Sequence, residues 1–201
     1  MSVPYAPPRI SVGLVAAPEV SAGILNNFYE VFSFVGQGWE MLTGNPGSRR
    51  SMVPRIVAEG REAFRNPAGL TVVPDLSFDE ALRCDVVLVP DLSVPFGDSL
   101  TGRWPAAVDW LRRQHGQGAL VCSVCTGALM LAEAGLLDGV EATCHWAATD
   151  HFHRYYPRVN LRPERLLVPG GPEHRVVTTG GPASWSELAL YLVARFCGED
   201  E

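Results

Sequence analysis

Lysine is absent: all 16 basic residues among the 201 are arginine. That excludes Schiff-base chemistry and any catalytic lysine. A basic surplus is missing as well. The formal charge is −6, so nothing electrostatic argues that this chain holds nucleic acid by itself. No apolar run approaches the roughly 20 residues that span a bilayer. Pro4, Pro7 and Pro8 stand where a signal peptide would need an apolar core. Five cysteines, an odd number without a paired framework, point to a reducing compartment rather than a disulfide scaffold. The expectation is a soluble cytoplasmic protein with no membrane partner. With 47% hydrophobic and 19% charged residues, and no repeat, low-complexity segment or linker, residues 1–201 read as one domain with a single large core.

What is present is an alternation of strand and helix signals. Ile10 to Ala16 reads as a first strand, near-continuously apolar, as expected where both sheet faces are covered. Ile24, Leu25, Phe28, Val31, Phe32 and Val35 recur at helical spacing. Residues 36–51, rich in Gly, Asn, Pro and Ser, read as a loop. Met52 to Val57 and Leu70 to Val73 predict strands, Phe78 to Leu82 a short helix, and Asp85 to Val89 a strong strand. Trp104, Ala107, Val108 and Leu111 stripe a helix ending near His115 and Gly116. Gly118 to Cys122 and Val176 to Thr178 complete the strands. The last helix presents Trp185, Leu188, Ala189, Leu192, Val193 and Phe196. Strands separated by helices predict a mostly parallel sheet covered on both sides, with ligands at the carboxyl ends of its strands.

One of those ends carries the strongest motif, Val121-Cys122-Ser123-Val124-Cys125-Thr126-Gly127-Ala128, where a strand runs through a small-residue turn into a helix. A cysteine at such an elbow has its sulfur forced out of the backbone, beside unpaired N–H groups and the positive end of the helix dipole. Both favour thiolate over thiol. On this reading Cys125 is the most alkylation-prone of the five cysteines, while Cys122 and Cys144 are packing. Some twenty residues on, Ala142-Thr143-Cys144-His145-Trp146 follows a Gly135…Gly139 turn, and a strand there would return His145 to the vicinity of Cys125. An imidazole beside a thiolate acts as base or ion-pair partner; a core histidine orienting a turn is the other reading. His151 and His153 fall on different helix faces, and no Cys or carboxylate stands at ligand spacing, so no metal site is expected. Trp146 and Phe152 read as packing, Arg112 and Arg113 as a solvated helix face, and Arg103 as a residue able to bind an anion.

The run SVCTGALMLAEAGLLDGVEATCHWA resembles the ThiJ/PfpI superfamily, the class I glutamine amidotransferase-like group. It resembles in particular the branch that supplies N-terminal domains of AraC-type transcription regulators, together with isocyanide hydratase. The likeness extends to Tyr29–Gly36, to Asp85–Pro90, and to the closing VVTTGGPASWSELALYLVARFCG, so it covers most of the chain. It implies a flavodoxin-like three-layer sandwich, a homodimer, no cofactor, and a reactive cysteine on the elbow. The Gly180-Gly181…Ala183-Ser184-Trp185 run is similar to the regulator branch, in which a helix-turn-helix reader follows. The expectation is that contact with DNA comes only through such a further domain, absent from this chain.

Two departures from the family pattern bear on catalysis. Active members carry an acidic residue on the first helix that shares a hydrogen bond with the cysteine; Ile24 takes that place here. The strand ending at Pro90 is usually followed by Gly-Gly, whose N–H groups help form an oxyanion hole; this chain has Asp91-Leu92, and a carboxylate there repels a developing oxyanion. The Thr126 backbone N–H remains as one donor. Each loss is expected to lower a hydrolytic rate on the order of 10²-fold. Three readings follow: a regulator's ligand-sensing and dimerising domain, a stand-alone cysteine enzyme on small carbon–nitrogen compounds such as isocyanides or amides, and a thiol stress sensor. For the first, Ile24, Asp91, Leu92, Cys125, Gly127 and His145 are the candidate pocket for a small-molecule effector. Loops 36–51 and 91–103, the pocket walls, carry no recognisable specificity code.

Overall fold

The computed structural model describes residues 9–45 and 50–199. The prolines of residues 1–8, the 46–49 part of the expected loop and the last two residues lie outside the described residues. In chain order the elements are β1 (Arg9–Val15), α1 (Ala22–Phe34), α2 (Gly38–Thr43), β2 (Ser51–Ala58), β3 (Phe64–Arg65), β4 (Thr71–Val72), β5 (Leu76–Ser77), β6 (Val86–Val89), α3 (Pro105–Gly116), β7 (Leu120–Val124), α4 (Ala128–Glu133), β8 (Glu141–Ala142), α5 (Thr149–Tyr155), β9 (Asn160–Leu161), β10 (Leu167–Gly170), β11 (Val176–Thr179) and α6 (Trp185–Cys197).

Seven strands form one sheet in the order β10-β11-β7-β6-β1-β2-β5. Every neighbouring pair is parallel except β10 with β11. This is the α/β sandwich that the alternating pattern predicts. Strands β6 and β7 are buried at every position, as their unbroken apolar runs require when helices cover both faces. Helix α1 buries Ile24, Leu25, Phe28 and Phe32, and packs on α6, where the rings of Phe28 and Trp185 meet edge-on at 5.9 Å. Helices α3 and α4 pack on each other, and the Trp110 ring of α3 lies so close over Gly13 of β1 that a Cβ there would come within 2.9 Å of it.

The differences from the sequence reading all concern short elements. Phe78–Leu82 forms a turn rather than a helix before β6. Leu70–Val73 is not a strand of the main sheet: Thr71–Val72 pair with Phe64–Arg65 in a separate hairpin, and Leu70 and Val73 stay exposed. The sheet edge is instead the two-residue β5, too short to register as a pattern. Residues 36–51 hold α2, whose Trp39, Met41 and Leu42 are exposed. Strand β10 escaped notice because Pro169 interrupts it; an edge strand tolerates a missing N–H.

Candidate functional site

At the carboxyl end of β7, Cys125 adopts φ +57°, a left-handed conformation that costs a non-glycine residue on the order of 1–3 kcal/mol and persists only where its surroundings enforce it. The enforcement is visible. A Cβ on Gly127 would lie 2.4 Å from the Pro90 carbonyl oxygen and 2.5 Å from that of Val89, so only glycine lets the elbow sit against the end of β6. The Thr126 hydroxyl accepts from the Leu92 N–H at 2.8 Å and donates to the Leu92 carbonyl at 2.7 Å. Ser21 N–H donates to the Asp91 carbonyl, Val20 bridges Leu92, and Ser93 N–H donates to the Glu19 carbonyl. Segments 19–21, 91–93 and 125–127, following β1, β6 and β7, are thereby stitched into one unit at the sheet's carboxyl edge.

The electrostatics of this unit differ from the elbow expectation. Cys125 is 3% exposed. Burial, and after it the charge of Asp91, push its thiol up to about 11, against the opposing pull of the Thr126 N–H and hydroxyl. Helix α4 has only six residues, so little dipole is available to favour a thiolate. The expected lead in reactivity therefore meets burial and a neighbouring carboxylate, whereas Cys197 is half-exposed. Burial also raises Asp91, with the Ser21 hydroxyl and His145 opposing, and its Oδ1 is buried without a hydrogen-bond partner. His145 caps the 146–148 turn: its Nδ1 accepts the Ala147 N–H at 3.2 Å, which in the neutral ring leaves the proton on Nε2 and no lone pair there for a base. Among the described residues no hydrogen bond joins it to Cys125.

Of the other candidate residues, Ile24 is a core residue of α1, and Leu92 is buried and engaged through its backbone. Ser21 gave no sequence signal, since only the fold brings it to Asp91. Cys144, read as packing, lies beside the elbow: its thiol donates to the His145 carbonyl at 3.2 Å, and burial and then Cys125 push it up to about 12. Phe152 packs as expected, but Trp146 is 74% exposed. Arg112 is exposed, as expected of a solvated face, and its Nε donates to the Ala134 carbonyl at 3.0 Å.

Asp91→Asn is expected to shift the Cys125 thiol downward and speed its alkylation by iodoacetamide relative to Cys197. Because the folded protein holds the Asp91 proton more tightly than the unfolded chain, its contribution to stability is present below the ordinary 3.8 and falls as pH rises through the folded value. Denaturation at pH 4 and at pH 7 should therefore show the asparagine variant gaining on the native protein at the higher pH. Parallel denaturation curves at both pH values would sink this assignment.

A parallel α/β sandwich with a strained cysteine at a strand-to-helix elbow defines the class of protein. The chain belongs to the DJ-1/PfpI family, whose profile matches residues 48–195. It is 35% identical over 130 residues to the HTH-type transcriptional regulator CdhR of Pseudomonas aeruginosa, a match covering 65% of this chain and 36% of the regulator. It is 33% identical over 134 residues to isonitrile hydratase of Pseudomonas putida, covering 66% and 54%. A crystal structure of an AraC family transcriptional regulator from Pseudomonas putida superposes with a TM-score of 0.71 at 19% identity over 95% of this chain and 94% of that one, a likeness of fold. The match thus spans little more than a third of CdhR. No helix among the described residues is long and apolar enough to cross a membrane.

Proposed function

We propose that this chain is the ligand-sensing and dimerising domain of an AraC-type transcription regulator, acting with a helix-turn-helix reader and binding a small-molecule effector at the carboxyl edge of its sheet. The observation that carries the reading is the state of the elbow. Cys125 is 3% exposed and faces Asp91, and burial and that carboxylate push its thiol up, where a hydrolase needs a thiolate facing hydrogen-bond donors. His145, with its Nδ1 engaged, offers no base to activate it. The match to CdhR supports the same reading. The test is to read the gene past the codon for Glu201. An open frame of roughly a hundred residues with paired short helices, one basic, is the expected result; a stop codon directly after Glu201 would contradict it.

Pairing of two copies is supported by the exposed apolar side chains of Phe34, Trp39, Met41 and Leu42, which lie on the end of α1 and on α2. Sedimentation is expected to give a particle of twice 21.8 kDa, and a particle of 21.8 kDa would remove the dimer. The second reading, a cysteine enzyme on small carbon–nitrogen compounds, is favoured by the strained φ of Cys125 together with the likeness to isonitrile hydratase. For it to hold, Asp91 must replace the acid missing at Ile24.

A further inference from the structure

Beside the stitched unit, a cleft of about 300 Å³ opens at the carboxyl ends of β1 and β2, bordered by the first turn of α3. That volume lies at the small end of the range for sites that hold small molecules. Phe64, Phe78 and Trp104 give it aromatic walls, and Glu19, Glu59, Glu62 and Arg103 bring its charges. One of these charges is already answered. The Glu19 carboxylate accepts from Arg103 at 2.8 and 2.7 Å on Oε1, and from the Trp104 indole N–H at 3.3 Å on Oε2. Arg61, which sits between the other two acids in sequence, turns away to Glu80. Glu59 and Glu62 make no ion pair among the described residues.

Three carboxylates against one guanidinium leave the cleft two charges negative. The amino end of α3 opposes this with only roughly half a positive charge. An anion is therefore repelled on balance. A cation is drawn to the free carboxylates and, where it takes the place of the Arg103 guanidinium that lies 6.0 Å from the Trp104 ring centroid, to that aromatic ring as well.

We propose that this cleft is the effector site and that it takes a compact organic cation with an apolar body, such as an alkylammonium. The assignment deepens the sensing reading and rests on it for the word effector. A route from cleft to elbow exists in covalent and hydrogen-bonded steps. Glu19 places its side chain in the cleft, while its carbonyl holds Ser93; Val20 bridges Leu92; and Leu92 bonds the Thr126 hydroxyl next to Cys125. Arg103 terminates the same 91–103 segment at its other end. A cation that competes with Arg103 for Glu19 pulls on both ends of that segment at once.

The test titrates the 201-residue chain with n-butylammonium chloride, tetramethylammonium chloride and sodium butyrate at constant ionic strength, following tryptophan fluorescence and thermal unfolding. Saturable binding of the cations but not of butyrate is expected. In the Glu59→Gln/Glu62→Gln variant, whose two sites are exposed and whose unfolding temperature without ligand should not move, affinity should fall about tenfold or more. Tighter binding of butylammonium assigns the larger role to the carboxylates, and tighter binding of tetramethylammonium to the Trp104 ring; the loss of affinity in the double variant places the ligand in the cleft. Butyrate binding as tightly as butylammonium, no saturable cation binding, or unchanged affinity in the double variant would overturn the proposal. If Cys125→Ser loses cation binding while the double variant keeps it, the ligand sits at the elbow. The cleft is then excluded, while the sensing reading, which stands or falls on the gene and its DNA reader, is untouched.

Discussion

Gly127→Ala is expected to cost about 2–4 kcal/mol of stability, or to prevent folding, although the same exchange inside a helix ordinarily gains up to about 1 kcal/mol. The reason is that the new methyl group would lie 2.4 and 2.5 Å from two carbonyl oxygens of the segment that ends β6. These are backbone atoms next to a central strand paired on both sides, so no side chain can rotate out of the way. Relief requires the end of β6 to retreat from the elbow, which carries Asp91 and Leu92 with it. Chemical denaturation of the native and variant proteins reads the effect directly. A loss below about 0.5 kcal/mol, the range of an ordinary surface change, would mean that the elbow and β6 are not in this contact.

Thr126→Val is the second large effect, expected at roughly 2–4 kcal/mol. Valine fills the same volume but has no hydroxyl, so the Leu92 N–H and carbonyl, both satisfied by Thr126 in the native protein, are left buried and unpaired. An unsatisfied buried polar group costs about 1–3 kcal/mol, far more than the net worth of the bond it lost. Thr126→Ser keeps the hydroxyl and should lose much less. Equal losses for valine and serine would show that the methyl group, not the stitch to Leu92, is what matters at this position. Since the same stitch joins the cleft-bearing segment to Cys125, the valine variant should also uncouple ligand binding from the surroundings of the thiol.

The parallel sheet was legible because its central strands are unbroken apolar runs and its long helices carry apolar stripes. Val86–Val89 and Leu120–Val124 are buried on both faces, and both the strand and the helix signals there are strong. What escaped were pieces of two to six residues, β5, the β3–β4 hairpin and α2, whose existence depends on what they pack against rather than on any local period. At the site, the position of the elbow followed from Gly127 and its flanks, but the chemistry of Cys125 did not. Its thiol is governed by burial and by Asp91, a residue 34 positions away, counted from the Leu92–Thr126 stitch that brings the two segments together. The role of His145 depended on a single short-range bond to Ala147, which only coordinates reveal. Arg103, read as an anion-binding residue, does hold a carboxylate, but one supplied by the chain itself, Glu19.

Sensing and catalysis part most directly in one assay: formamide production from cyclohexyl isocyanide by the native protein, compared with Cys125→Ala under the same conditions. A buried cysteine whose thiol is pushed up by burial and by Asp91, with no base at His145, predicts that the two proteins give the same background rate. Turnover that depends on Cys125 would contradict the sensor assignment and make the elbow an active site.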